Sequence, residues 1–493
     1  MVYKNYIGGR WVESHTGEVF PSINPANGEV LGEVTRSDAQ DVDNAVQAAA
    51  AAFDSWRKTP APKRAELLYR LGDLLAQHKE ELARFLTREM GKILPEARGD
   101  VQEAIDMAAY MAGEGRRLFG YTVPVELPNK FGMCVRDPVG VVAAITPWNF
   151  PIAIPSWKIF PAVMAGNTVV FKPASDTPIL GVRFVELIEQ AGFPPGVVNL
   201  VLGPGGVVGD ALVEHPLVSA ISFTGSTEMG TAVNVKAARH LKRVHLEMGG
   251  KNAITVMDDA DLDLALDGII WSAFGTSGQR CTACSRLLVH EAVKKPLLEK
   301  LLARTEALRL GDGLLPTTDV GPIINKRQLE SIHSHVDVAK KDGAIILTGG
   351  YIDTEGDRAR GFFYRPTLLD NVTPDMPVAR EEIFGPVLSI ITIRSLDEAI
   401  HVNNATCYGL SSAIYTRDIN RAFTAMRDMT TGIVYINAGT IGAEIQLPFG
   451  GTRKTGSGHR EAGIAGLDVF TEWKSIYVDF SGKLQRAQID THE

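Results

Sequence analysis

A chain of 493 residues exceeds the length at which one hydrophobic core keeps growing, so two or three domains are expected. Hydrophobic residues at 45% and charged residues at 22% are ordinary values for a folded chain and exclude a disordered or fibrous one. With 50 Lys+Arg against 58 Asp+Glu, a net charge of -8 and no long run of one sign, no nucleic-acid partner is expected. The opening MVYKNYIGGRWVES lacks the basic, apolar and small-residue succession of a signal peptide, and no apolar run approaches the ~20 residues that a bilayer crossing needs. A cytoplasmic protein without membrane association is the expectation.

In chain order, residues 40 to 56 and 62 to 92 carry apolar positions at helical spacing, and a further helix is predicted over 95 to 119, so the chain is expected to open largely helical. From 139 the texture changes to short β-branched runs (VGVVAAITP, TVVFKPAS, VVNLVLG, SAISFTGS, RVHLEMGG) alternating with amphipathic segments, which predicts βαβ units and a mostly parallel sheet. A second α/β series starts near Asn252 with NAITVM and runs through SRLLVHE, AIILTGG, PVLSIITI, SSAIYTR and TGIVYIN. The segment 120–138 and the tail after about 465 read as extended pieces outside both sheets, suited to a small antiparallel arm.

Only four cysteines are present, Cys134, Cys281, Cys284 and Cys407, too scattered for a disulfide framework. Two lie in GTSGQRCTACSR, residues 275 to 286. A zinc site would need a second ligand pair at comparable spacing, and none exists; no metal is expected. A thioredoxin-like motif would follow the first strand of a small domain. Two buried structural thiols remain an ordinary alternative. Gly275 and Gly278 permit an unusual backbone approach, and if Cys281 stood at a helix start, free N–H groups and the helix dipole would favour a thiolate nucleophile. If Cys284 lay within the same helical turn, it could resolve an oxidised Cys281 as a disulfide.

A cysteine nucleophile needs a base and an oxyanion hole. LEMGGKN puts Glu247 at the end of a strand beside a glycine turn, where α/β sheets display functional groups. ITPWNFP places Asn149 on a strand-to-helix bend, from which its amide could donate to a developing oxyanion; a turn-forming asparagine is the plainer reading.

Taken together, ITPWNFP, FKPAS, FTGSTEMG, LEMGGKN, GQRC, EEIFGPV and LPFGG stand in the order and at the separations of the aldehyde dehydrogenase superfamily, which the sequence resembles over nearly its whole length. FTGSTEMG lacks the Gly-Lys-Ser/Thr ending of a phosphate loop. The resemblance implies an α/β fold: a Rossmann-like cofactor domain (1–119 and 139–250), an α/β catalytic domain (251–447) and an oligomerisation arm (120–138 and 465–493), assembled as a homodimer or homotetramer. It implies oxidation of an aldehyde to an acid through a thiohemiacetal and thioester on Cys281, with Asn149 and the Cys281 N–H as oxyanion donors and Glu247 activating water. The CoA-dependent acylating relatives generally lack that glutamate.

For the cofactor, NAD or NADP, similarity implies Lys172 and Ser175 at the adenosine ribose, Gly225 and Ser226 near the pyrophosphate, Glu382 and Phe384 at the nicotinamide ribose, and Trp148 in contact. Many NAD-preferring relatives carry glutamate where Ser175 stands, so both cofactors are expected to work. KTGSGHREAG departs from the shorter segment of many relatives by an extra residue, His459. Phe150, Trp157 and Phe449 would line the aldehyde tunnel, although Trp157 suits core packing equally. Arg280 would pair with an anionic group at the far end of the substrate, or else be satisfied by a nearby carboxylate. Together with the semialdehyde-like NAGTIGAEIQLPFGG, it makes a carboxylate-bearing semialdehyde the leading substrate class, with broad aliphatic or aromatic aldehyde oxidation as the alternative.

Overall fold

The computed structural model describes residues 2–486 and 488; the remaining tail positions of the expected arm lie outside the described residues. Five strands form a parallel sheet in the spatial order Arg243–Glu247, Val218–Thr224, Val141–Ile145, Thr168–Lys172, Val198–Leu200. Asn5–Ile7 and Arg10–Val12 extend it antiparallel at one edge. Val141–Ile145 and Thr168–Lys172 are buried along their whole length. Their runs are therefore continuously apolar rather than alternating, as a sheet covered by helices on both faces requires. Strand order reverses between Val141–Ile145 and Val218–Thr224, and the crevice at such a point is where open α/β sheets take ligands.

A second seven-stranded sheet has the order Ile345–Thr348, Thr367–Asp370, Val387–Ile393, Cys284–His290, Asn252–Val256, Ser411–Tyr415, Ile433–Ile436. It is parallel except for its first pair. The extended pieces form a separate antiparallel sheet, Thr471–Asp479, Lys130–Pro138, Tyr121–Val123. Residues 466–470, read as part of that extended tail, are instead a short helix, Gly466–Phe470, whose Leu467, Val469 and Phe470 pack into the core of the first sheet.

The expected helical opening is corrected by five short strands before residue 36, three of which, Val2–Tyr3, Val30–Thr35 and Val19–Ile23, make a small sheet of their own. Each is too brief to register as a period, and helix begins only at Asp38, whose capping box opens Ala39–Lys58. The span 62 to 92 is two helices, Ala61–Gln77 and Lys79–Met90, broken at His78. Leu94–Glu114 follows. Helix Ala153–Ala165 crosses from Val141–Ile145 to Thr168–Lys172 and ends at Gly166, where φ is 103° and glycine is the residue that adopts it without strain.

Candidate active site

The nucleophile segment leaves helix Leu262–Phe274 through the tight turn Gly275–Gly278, in which Thr276 (φ 53°), Ser277 (φ 56°) and Gly278 (φ 68°) are successively left-handed. Two such non-glycine residues cost roughly 1–3 kcal/mol each and persist only where surroundings hold them. Glu96 holds them here, accepting from the Thr276 N–H at 2.8 and 3.0 Å, while Ser277 Oγ donates to Gly321 O at 2.8 Å. A Cβ on Gly278 would come within 2.3 Å of Gly385 O, so glycine is required.

Cys281 does not stand at a helix start: the turn leads into strand Cys284–His290, and the helix-dipole argument for a thiolate falls away. Burial pushes its thiol up to about 12, with the charges of Glu247 and Glu382 adding and the Thr282 N–H and Arg280 opposing. The segment is fixed by Asn252, whose Nδ2 donates to Cys281 O at 2.7 Å and Ala283 O at 3.0 Å. Cys284 is not in a helical turn with Cys281 either. It opens the strand in a core of the second sheet, its Sγ donating to Arg286 O, whereas Cys281 borders the core of the first.

A cavity of about 580 Å³ runs along the switch point and has Cys281 and Asn149 in its wall. Asn149 donates one amide hydrogen from Nδ2 to Gln279 O at 3.1 Å, which fixes the group beside the nucleophile and leaves its second hydrogen free. Trp148 and Phe384 line the same cavity, packed edge to face at 5.4 Å, with Phe384 itself left-handed (φ 55°). Glu382 also borders it: burial lifts its carboxyl to about 7, against the Gly250 N–H, which donates to it at 3.0 Å, and Lys251. A Cβ on Gly249 would lie 2.0 Å from Glu382 Oε2, so that glycine makes room for the carboxylate.

Lys172, also in the cavity wall, is pulled down to about 8 by burial, opposed by Asp176, and donates to Pro173 O at 2.8 Å. Ser175 Oγ donates to Gly203 O at 3.0 Å. Gly225 and Ser226 line the cavity too; Ser226 caps helix Thr227–Ala238, accepting from the Met229 N–H at 3.3 Å, so the N-terminus of that helix borders it. A buried ammonium, a serine, a helix N-terminus and a carboxylate thus line one cavity with Cys281 and Asn149.

The remaining expected site residues lie off that cavity. Glu247 is turned away from it, 3% exposed, and neither carboxylate oxygen has a hydrogen-bond partner among the described residues. Burial, then the charge of Glu461, raises it well above the usual carboxylate range, with Lys158 and Arg460 opposing. Gly450 allows this placement, since a Cβ there would sit 2.6 Å from Glu247 Oε1. Trp157 and Phe449 meet edge to face at 5.1 Å within the core of the first sheet. Phe150 lies under two cations, Lys92 Nζ 3.6 Å and the Arg280 guanidinium 5.2 Å from its ring centre. Arg280 Nε donates to Thr276 Oγ1 at 2.9 Å and its Nη2 meets Glu96 Oε1 at 3.4 Å, while Lys92 pairs with Asp100 at 2.9 Å.

Glu96, Asn252, His245, Lys158 and Glu461 do not emerge from motif reading. Glu96 and Asn252 act through backbone atoms, which leave no mark in sequence. His245 did leave one: it stands two residues before Glu247 on one strand, hence on the same face.

The aldehyde dehydrogenase family matches over residues 11–476. The alpha-ketoglutaric semialdehyde dehydrogenase of Bacillus subtilis (strain 168) is 43% identical over 477 residues, covering 97% of this chain and 98% of that protein. Malonate-semialdehyde dehydrogenase 2 of Geobacillus kaustophilus (strain HTA426) is 41% identical over 475 residues, covering 96% and 98%. The betaine aldehyde dehydrogenase of Staphylococcus aureus, solved in complex with NAD+, superposes with a TM-score of 0.96 at 36% identity over 99% of this chain and 97% of that one. With a family match across nearly the whole length and relatives at this identity, the chain belongs to the aldehyde dehydrogenase family.

Proposed function

We propose that this protein oxidises a carboxylate-bearing semialdehyde to the corresponding dicarboxylic acid with NAD or NADP. The observation that carries the chemistry is the meeting of Cys281 and Asn149 in the wall of one elongated cavity. Cys281 adds to the aldehyde carbon, and its backbone N–H together with the free amide hydrogen of Asn149 meets the oxyanion. Lys172 and Ser175 would hold the adenosine ribose, Gly225 and Ser226 the pyrophosphate, and Glu382, Phe384 and Trp148 the nicotinamide half; the bound cofactor supplies the hydride acceptor. Since burial keeps the Cys281 thiol protonated, addition requires its proton to leave. Glu247 then activates the water that releases the acid.

The substrate class is supported by Arg280, the residue before Cys281, over Phe150, and by the substrates named for the relatives at 43% and 41% identity. A 2-oxoglutarate or aminoadipate semialdehyde is the leading candidate. We assign 1–119 and 139–250 to cofactor binding, 251–447 to catalysis, and 120–138 with 465–493 to an oligomerisation arm of a homodimer or homotetramer. The exposed Tyr121, Trp473 and Tyr477 on that antiparallel sheet support the last assignment. Four unpaired cysteines support a cytoplasmic setting. Cofactor reduction with a panel of aldehydes, with and without CoA, tests the reading. Turnover should need no CoA and be fastest with the semialdehydes; strict CoA dependence would overturn it.

A further inference from the structure

Behind Glu247 lies a buried polar cluster that the reaction as described does not use. His245 and Glu247 share one face of strand Arg243–Glu247, and His245 is paired across the sheet with Ser222 of Val218–Thr224. His245 is fully buried. Its Nδ1 stands 3.4 Å from Ser222 Oγ and 3.5 Å from Glu461 Oε1, and its Nε2 stands 3.6 Å from Glu247 Oε1. Lys158, from helix Ala153–Ala165, pairs with Glu461 and reaches Ser222 Oγ at 3.2 Å. From the C-terminal segment, the His459 ring lies 6.5 Å from that of His245, and Arg460 also acts on it.

Nδ1 of His245 faces the oxygens of Ser222 and Glu461, and a neutral His245 that donates to them from Nδ1 turns its Nε2 lone pair toward Glu247. Burial, then Lys158, His459 and Arg460, hold the ring neutral at rest, while burial and Glu461 hold Glu247 protonated. Glu247 therefore enters the cycle with a proton that it must shed before it can act as a base. Nε2 is an unpartnered ring nitrogen beside it, 3.6 Å from Glu247 Oε1.

We propose that His245 is a positioning residue for Glu247, whose Nε2 receives the carboxyl proton and so readies the carboxylate for water. The Glu247 O–H bond breaks and an Nε2–H bond forms, leaving a carboxylate and an imidazolium that faces Glu461. When Glu247 takes a proton from the attacking water, the imidazolium gives its Nδ1 proton to the facing Glu461 at 3.5 Å, which releases it to solvent beside the exposed His459. One proton thus leaves for each thioester hydrolysed to a carboxylate and a thiol. Closing the gap of 3.6 Å takes a side-chain rotation that breaks no hydrogen bond of the Glu247 carboxyl.

The inference rests on Glu247 being the deacylation base, and the test separates the two. His245→Gln, with His245→Leu beside it, is followed by the burst of cofactor reduction, by decay of the Cys281 acyl-enzyme in intact mass spectra across pH, and by the protonated-carboxyl infrared band of the protein alone. In His245→Gln the burst should stay within about twofold, acyl-enzyme decay at neutral pH should slow by about tenfold or more, its pH limb should move up by about one unit, and a carboxyl band absent from Glu247→Gln should persist to higher pH. A burst and a decay that fall together would mean a structural role and overturn the proposal, as would an unmoved pH limb in His245→Gln, whether or not His245→Leu folds. Undiminished decay in Glu247→Gln would refute the base assignment and the inference with it. Slow decay there with normal decay in His245→Gln would refute the inference alone.

Discussion

Replacing Arg280 by methionine removes the cation assigned to the distal carboxylate while keeping an apolar stem against Phe150. A charge-assisted hydrogen bond contributes about 1.5–3 kcal/mol, which is roughly 10- to 150-fold in kcat/KM. The structure pushes the expected loss toward the upper end. Arg280 is the cation facing Glu96 at 3.4 Å, and Glu96 stays in place without it because it also accepts from the Thr276 N–H at 2.8 and 3.0 Å. The variant therefore leaves a carboxylate beside the substrate carboxylate. Glu96→Gln keeps an acceptor oxygen for Thr276 but removes the charge, so the double variant Arg280→Met, Glu96→Gln should recover part of the loss, and the double-mutant cycle gives the repulsive component. The assay is kcat/KM for 2-oxoglutarate semialdehyde against an uncharged aldehyde of the same chain length, which should change by less than about threefold if it makes no charge-assisted bond. Equal losses for both aldehydes would refute the carboxylate assignment and leave Arg280 as a brace for the Thr276–Ser277 turn.

Cys281→Ala should abolish dehydrogenase turnover, and Asn149→Ala should lower kcat by roughly 10²–10³ through one lost oxyanion donor; normal oxidation by Cys281→Ala would dismiss the nucleophile. Carbamidomethylation of Cys281 in the cofactor-free protein should rise steadily with pH from neutral to strongly alkaline, because a thiol held near 12 is protonated below that value; a plateau near neutrality would show a thiolate already formed. Ser175→Glu should shift the ratio of kcat/KM from NADP toward NAD, since a carboxylate repels a 2′-phosphate and accepts from ribose hydroxyls; an unchanged ratio contradicts the placement of Ser175.

Most of the parallel strands were legible as short, largely apolar, β-branched runs between turn residues, and Val141–Ile145, Thr168–Lys172 and Asn252–Val256 all read that way. Thr367–Asp370 did not, as four residues behind a proline carry no period. The cavity residues followed from ordered motifs, since Lys172 ends a strand, Ser226 caps a helix and Glu382 sits in the loop before Val387–Ile393, each in a distinctive local sequence. What the sequence misplaced was Cys281. Glycines at 275 and 278 do announce an unusual backbone, but the same glycines are compatible with a turn into a strand, and only the pairing of Cys284–His290 with Asn252–Val256 and Val387–Ile393 selects it. Long-range clamps such as Glu96 on Thr276, 180 residues apart, have no local signature at all. The inward turn of Glu247 also escaped, because it depends on Gly450, far along the chain, leaving room for its carboxylate.

Mass mapping of Glu247→Gln, mixed with cofactor and 2-oxoglutarate semialdehyde and quenched in acid, tests the mechanism most directly. The account predicts one acyl adduct per chain, located on the peptide that carries Cys281, appearing with the burst of reduced cofactor and decaying slowly. Reduced cofactor formed with no adduct on that peptide, or with the adduct on Cys284 or Cys407, would contradict it.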